Sequence, residues 1–544
     1  MTPNQVTAPG VEMLFGYPDE GAYVGAVQRL VDDSVASRTA AGDPTLWGPA
    51  AEAEAALRLG WTSLPDTSRP LVAQIAALRA ELLAEGLDRV VLCGMGGSSL
   101  APEVICAAAQ VELTVLDSSH PDAVRAALSD RLDRTVVVVS SKSGGTVETD
   151  SQWRAFAEAF RSAGWDPARR IVMVTDPGSP LHASATEAGH RVFEADPMVG
   201  GRYSALTAFG LVPSGLAGVD LDRLLDEAAS VRARLESDSA ENPGVRLGAL
   251  LGAAALHGVD KLVLADAGSP YPGLGDWVEQ LVAESTGKEG RGIAPVVVES
   301  VSAPGFTPSS TDGVLVTYGP DFVFDTVRPA SGWGATVDAG LGAQFLIWEY
   351  ATVHASRLLG VNPFDQPDVE SAKAAARELL DHAGTPADPA FVDGSVAIHG
   401  QPAWLGSADT VEDAVLALLA QLDSQRGYLA VQAYLPSTRD SRVAGTRAAL
   451  ARRTGRPVTF GWGPRFLHST GQYHKGGPHT GVFLQLTGLV EEELSIPGRE
   501  FSFGDFIAAQ AAGDAAVLTD QGRPVLRLQI ADQSGLERVL EVLS

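Results

Sequence analysis

Three stretches of the chain hold residues whose types and spacing can do chemistry. In "VVLCGMGGSSLAPEV" (residues 90–104) an apolar run meets Gly94, Gly96 and Gly97, then Ser98. Glycines permit a sharp turn and close approach of a ligand to backbone, and free N–H groups at a following helix start favour an anion. The spacing departs from the dinucleotide fingerprint G-x-G-x-x-G because position 99 is Ser, and no Gly-Lys-Ser/Thr nucleotide loop occurs. In "VVVVSSKSGGTVETDSQW" (136–153), Ser141, Ser143 and Thr146 fall within six positions, with Lys142 among them. Hydroxyls and backbone N–H groups together can bind the terminal oxygens of a phosphate monoester. Serine caps would explain one such hydroxyl and not the cluster. The third stretch, "RFLHSTGQYHKGGPHTG" (465–481), places His468, His474 and His479 with five and four residues between them. That is not the H-E-x-x-H spacing and no cysteine is near, so no metal site is expected.

Together "GMGGSSL" and "SSKSGGTVET" resemble a sugar isomerase (SIS) domain, which binds phosphosugars. "GGRYSALTAFGLVP" (200–213) and "NPFDQPDVESAK" (362–373) resemble the two signature segments of phosphoglucose isomerase. "EQLVAESTGKEGRG" (279–292) resembles the segment holding that family's catalytic base. The likeness covers roughly residues 85–375 in order and extends to the isomerase half of fused transaldolase–phosphoglucose isomerase proteins. With fewer than ninety residues ahead of the first SIS strand, no transaldolase half is expected before it.

The resemblance implies an aldose–ketose isomerase that interconverts glucose 6-phosphate and fructose 6-phosphate through a cis-enediol, in glycolysis and gluconeogenesis, with no cofactor. It makes Glu284 the base that carries a proton between C2 and C1, a task suited to a partly buried carboxylate. Gln280, one helical turn earlier on the same face, becomes a substrate contact. Arg202, after Gly200 and Gly201, would stabilise the enediolate without losing its own proton. Lys373 would take part in ring opening, with Gln366 as a further contact and Glu370 orienting its neighbours. Ser98, Ser141, Lys142, Ser143 and Thr146 are expected around the phosphate, and Gly97 and Gly201 beside the ligand. The family has Gly at the position of Asp368, and an aromatic residue shortly before the Gly-Gly where this chain reads "DPMVGG".

The family's ring-opening histidine lies between the base and lysine segments, yet residues 285–353 contain none. "LHSTGQYHKGG" resembles the bacterial family's histidine segment, Leu-His-Ser-x-Gly-Gln-Tyr, and the match falls on His468. The order here is therefore base, lysine, histidine. Geometry and not chain order defines such a site, so the loop around 468 is required to fold over the cleft holding Glu284 and Lys373. His474, Lys475 and His479 are left as further phosphate contacts or solvated side chains. Two other functions stay open: a non-catalytic phosphosugar-binding SIS regulator, which has no need of Glu284, Arg202 and Lys373 together, and a dual phosphoglucose/phosphomannose isomerase. The family is commonly dimeric, so a homodimer is a possible state.

Elements must position these residues. "RVVLCG", "LTVLDSS", "TVVVVSS" and "RIVMVTD" read as strands alternating with helices, and "KLVLADAG", "APVVVES" and "GVLVTYG" repeat the pattern ahead of a long helix, "LGAQFLIWEYATVHASRLLG". The expected fold is α/β: an N-terminal helical segment (1–86), two doubly wound parallel-sheet SIS domains (87–240 and 241–380), and a C-terminal α/β extension (381–544) carrying the displaced histidine. That extension has strand candidates "YLAVQAYL", "PVTFGWG", "GVFLQLTG" and "PVLRLQI", behind a linker at "HAGTPADPAFVDG". The 544 residues are 45% hydrophobic, enough for a large core. A formal charge of −27 repels nucleic acid and anionic membranes. Cys93 and Cys106 are the only cysteines and are expected as buried thiols; with no basic n-region and no membrane-length apolar run, a cytoplasmic location is expected.

Overall fold

In the computed structural model of the chain, residues 4–544 are described except 322, 324–326, 382–387, 489 and 491; of residues 4, 8, 370, 372, 373, 379 and 381 the backbone alone is described. Three sheets organise it. The first comprises β3 (Arg89–Gly94), β4 (Thr114–Leu116), β5 (Thr135–Ser140), β6 (Ile171–Thr175) and β7 (Arg191–Glu194), all parallel in the order β4-β3-β5-β6-β7. Every residue of β3, β5 and β6 is buried, which is why these strands read as unbroken Val and Ile runs. Chain order reverses between β3 and β5, so the loops after those two strands open side by side. They are the glycine loop and the hydroxyl loop.

The second sheet joins β8 (Lys261–Asp266), β9 (Ala294–Val298), β10 (Gly313–Tyr318) and β11 (Gly334–Ala339), parallel in the order β11-β10-β8-β9. Its far side is closed by a hairpin from the chain start, β1 (Asn4–Ala8) and β2 (Val11–Gly16), with β2 antiparallel to β11. This corrects the helical reading of residues 1–86. In "VEMLFG", Val11, Met13 and Phe15 are buried between more exposed neighbours, a period of two that marks a strand. Helices follow from Glu20–Asp32 onward.

The third sheet holds β12 (Phe391–Asp393), β13 (Val396–His399), β14 (Tyr428–Ala433), β15 (Val458–Trp462), β16 (Gly481–Gly488) and β17 (Val525–Ile530), in the order β12-β13-β17-β16-β14-β15. The four anticipated strands are β14 to β17. The expected linker falls partly on 382–387, outside the described residues, and its tail forms β12. Helix Leu341–Leu359 is buried along almost its whole length against helices Leu221–Leu235 and Pro243–Leu256. Cys93 and Cys106 are buried and unpaired, with burial pushing both thiols up. Among the described residues no helix is long and apolar enough to cross a membrane.

Candidate active site

Helix Leu274–Thr286 is buried on nearly every side and carries Gln280 and Glu284 one turn apart. Gln280 Nε2 lies 3.4 Å from Glu284 Oε2, and the Glu284 side chain is only 10% exposed. Arg202 Nη1 pairs with the same Glu284 oxygen at 3.2 Å. The Arg202 guanidinium uses all five of its N–H groups. Nε donates to Ser285 Oγ, Nη1 also to Gln366 Oε1 at 2.9 Å, and Nη2 to the carbonyls of Pro363 and Asp365. Two of the sequence segments are thereby fixed to the base helix by one side chain.

Lys288, which the sequence reading passed over, reinforces this. Its Nζ donates to the carbonyl of Asn362 at 2.6 Å and to both the carbonyl and the carboxylate of Asp365 at 2.7 Å. Burial first, then the neighbouring Arg202 charge, pull its pKa down to about 8.

The displaced histidine loop reaches this centre. His468 accepts through its backbone carbonyl from Gln280 Nε2 at 2.8 Å, so Gln280 sits between the base and the histidine. The His468 imidazole Nε2 lies 3.0 Å from Glu148 Oε1, at the start of helix Val147–Ser162 in the hydroxyl-loop segment. Gln510, on helix Phe503–Asp520, donates to the same Glu148 oxygen at 2.7 Å and accepts from Ser119 Oγ at 2.5 Å. Four residues later in the loop, Gln472 donates to the Gly287 carbonyl at 2.9 Å and to Asp368 Oδ2 at 2.6 Å. Glu148 stood in the quoted hydroxyl motif, two places after Thr146, and that position at a helix start was the available signal. Gln510 had none, since nothing local links it to the site.

The glycine loop is held against the Gly-Gly segment by shape. A Cβ on Gly97 would lie 2.0 Å from the Gly201 carbonyl oxygen, whereas one on Gly201 would meet nothing within 4 Å. Ser98 is half-buried at the turn before helix Leu100–Ala108. In the hydroxyl loop Ser141 Oγ donates to Thr146 Oγ1 and accepts from Gly144 N–H, while Ser143 Oγ accepts from Gly145 N–H. Lys142 is turned to Asp176 at 2.7 Å and to the Pro197 carbonyl. A cavity of about 180 Å³ is lined by Ser143, Gly145, Thr146, Glu148, His468, Gln510 and Arg377. The hydroxyl loop and the histidine thus share one hollow. Lys373 falls on helix Pro367–Asp381, four positions before Arg377, and its side chain lies outside the described residues, as does that of Glu370.

The three histidines diverge. His474, expected at the surface or on phosphate, is buried at 3% exposure with Nδ1 3.0 Å from Tyr428 Oη, and burial holds its pKa well below the ordinary value. Lys475 is likewise buried, paired with Asp514. These two correct the solvated reading: the helix Gly471–Gly476 that carries them is packed on all sides. His479 is exposed.

Comparison with known proteins shows the family. The family profile "Phosphoglucose isomerase" matches residues 81–313. A glucose-6-phosphate isomerase from Rubrobacter xylanophilus is 30% identical over 387 residues, covering 58% of this chain and 87% of that protein. A probable glucose-6-phosphate isomerase from Haloarcula marismortui is 33% identical over 212 residues, 38% of this chain; there the chain spans about half of the relative, 49%. Among solved structures, a glucose-6-phosphate isomerase from Chlamydia trachomatis shares the fold, with TM-score 0.56 at 18% identity over 70% of this chain and 91% of that one. The sequence motifs, the paired loops at the sheet reversal and the Rubrobacter relative lead to one assignment: the chain belongs to the phosphoglucose isomerase family.

Proposed function

We propose that the chain interconverts glucose 6-phosphate and fructose 6-phosphate, with the residues described above in distinct roles. The hydroxyls of Ser141, Ser143 and Thr146 and the free N–H groups at the start of helix Val147–Ser162 hold the phosphate, away from the reacting carbons. His468 and Lys373 move a proton from the O1 hydroxyl to the ring oxygen, which opens the ring. Glu148 bonds Nε2 of His468 and leaves Nδ1 for that transfer. Glu284 then takes the C2 proton, leaving an enediolate with its charge on O1; a proton passes from the O2 hydroxyl to O1, and Glu284 returns its proton to C1 as the carbonyl forms at C2. Arg202, fixed beside Glu284, supplies positive charge where the enediolate develops.

One observation carries the reading: Gln280 bonds both Glu284 and His468, joining two residues that chain order keeps far apart. A non-catalytic phosphosugar sensor would have no use for that junction. The test is fructose 6-phosphate conversion by the parent, Glu284→Gln and His468→Ala, each with and without chelator. Glu284→Gln is expected to lose ~10²–10⁴-fold in kcat. His468→Ala should lose less, because some sugar opens unaided. A parent that binds phosphosugar without converting it would overturn the proposal, and chelator sensitivity would overturn its metal-free form.

A further inference from the structure

The second and third sheets share one plan. Their orders are β1-β2-β11-β10-β8-β9 and β12-β13-β17-β16-β14-β15. Each has four parallel strands, an antiparallel hairpin beside the fourth, and the second strand as the free edge. The edges that meet are the equivalent ones, β9 against β15.

The contacts across this junction are reciprocal. His468 lies six residues after β15 and its carbonyl accepts from Gln280, on the helix before β9, at 2.8 Å. Pro304 lies six residues after β9 and its carbonyl accepts from Arg447, on the helix before β15, at 2.9 Å. Gln472 donates to the carbonyl of Gly287, which ends the first of those helices; Ser309 Oγ donates to the carbonyl of Gly455, which ends the second. The two helices close on "AESTG" (283–287) and "ARRTG" (451–455). In each, the threonine hydroxyl bonds the carbonyl four residues back at 2.8 Å, Thr286 to Val282 and Thr454 to Leu450. Contacts in which each side offers the same patch to the other are the signature of a two-fold, isologous interface. Here both sides belong to one chain.

The two halves differ in what they keep. The position of Glu284 is matched by the exposed Arg452 in the third unit. The loop after β15 holds His468, while the matching loop after β9, "ESVSAPGFTPSSTD" (299–312), holds no histidine. We propose that the C-terminal unit is an internal copy of the second unit standing where a second copy of the chain would stand, so that one catalytic centre is completed within a single chain, the base from one half and the histidine from the other. This rests on the roles assigned above to Glu284 and His468. It also accounts for the displaced order of base, lysine and histidine: the histidine keeps its topological place, after the second strand of the copy.

Co-expression of full-length Glu284→Gln and His468→Ala chains tests this. With centres built within each chain, the co-purified pool is expected to show only the average of the two single variants. If the histidine came from a partner chain, half of the randomly paired dimers would be mixed and each would rebuild one of its two centres, restoring about a quarter of parent activity. That restoration would overturn the proposal. Failure of the functional reading would appear instead in the single variants, as retained activity in Glu284→Gln. Glu284→Asp with His468→Asn repeats the pairing if either first variant does not fold.

Discussion

Gln472 and Asp368 face each other through two hydrogen bonds: the Gln472 amide oxygen accepts from the Asp368 N–H at 3.0 Å, and its amide nitrogen donates to the Asp368 carboxylate at 2.6 Å. The same amide oxygen accepts from Val369 N–H, and the same nitrogen donates to the Gly287 carbonyl. One side chain therefore ties the end of the base helix to the start of the lysine helix. Gln472→Leu strands several buried polar groups at ~1–3 kcal/mol each and is expected to lower both urea stability and kcat/KM. Asp368→Gly, which restores the residue the family has there, removes only the carboxylate contact. It should cost less than half as much in the same measurements.

Gly97 and Gly201 form an asymmetric pair. Gly97→Ala drives a methyl into the Gly201 carbonyl and must displace the turn that aims Arg202. A stability loss of ~1–3 kcal/mol is expected by thermal or urea unfolding, with a fall in kcat as Arg202 shifts. Gly201→Ala meets open space and should leave stability within ~0.5 kcal/mol of the parent.

Glu148 touches no reacting carbon in the proposed scheme; it positions His468. Glu148→Gln is expected to lower kcat by no more than His468→Ala does, and so by less than Glu284→Gln. The loss should concentrate on ring opening. A sugar phosphate that cannot cyclise should therefore be turned over by the variant nearly as well as by the parent, an outcome that a general loss of structure would not give.

His474 gives stability a pH dependence. In the folded chain burial keeps it neutral, while the unfolded chain takes up a proton near the ordinary 6.5. The unfolded state thus binds more protons below that value, so stability falls as pH drops through it, by up to ~1.4 kcal/mol per pH unit. His474→Gln keeps an acceptor for Tyr428 and cannot titrate. Urea unfolding from about pH 7 down to 5 should be flatter for the variant by one proton's worth.

Much of the site was legible because its residues sit in local patterns. The glycine and hydroxyl loops announce themselves by a strand, a turn and a helix start, and Glu284, Gln280 and Arg202 by motif. His468 was legible by motif as well, and its loop reaches the base helix through Gln280 beside Glu284; the Lys373 side chain lies outside the described residues. What was not legible depends on partners distant in sequence. Gln510 matters only because another helix brings Glu148 to it, and Lys288 only because residues 362–365 turn their carbonyls inward. The β1–β2 hairpin was missed because its few alternating residues are outweighed by the helices that follow. The burial of His474 was missed because a glycine-rich stretch reads as a loop.

The hairpin and the histidine loop also set an order of events. β2 must find β11, and His468 must find Glu148, 320 residues away. Loop-closure entropy delays such pairings relative to the local β-α-β windings of the first sheet. Catalytic competence is therefore a late property of the polypeptide: during synthesis or refolding, helical circular dichroism should return well before isomerase turnover, and the interval between them is the time in which the last third of the chain comes to rest on the first.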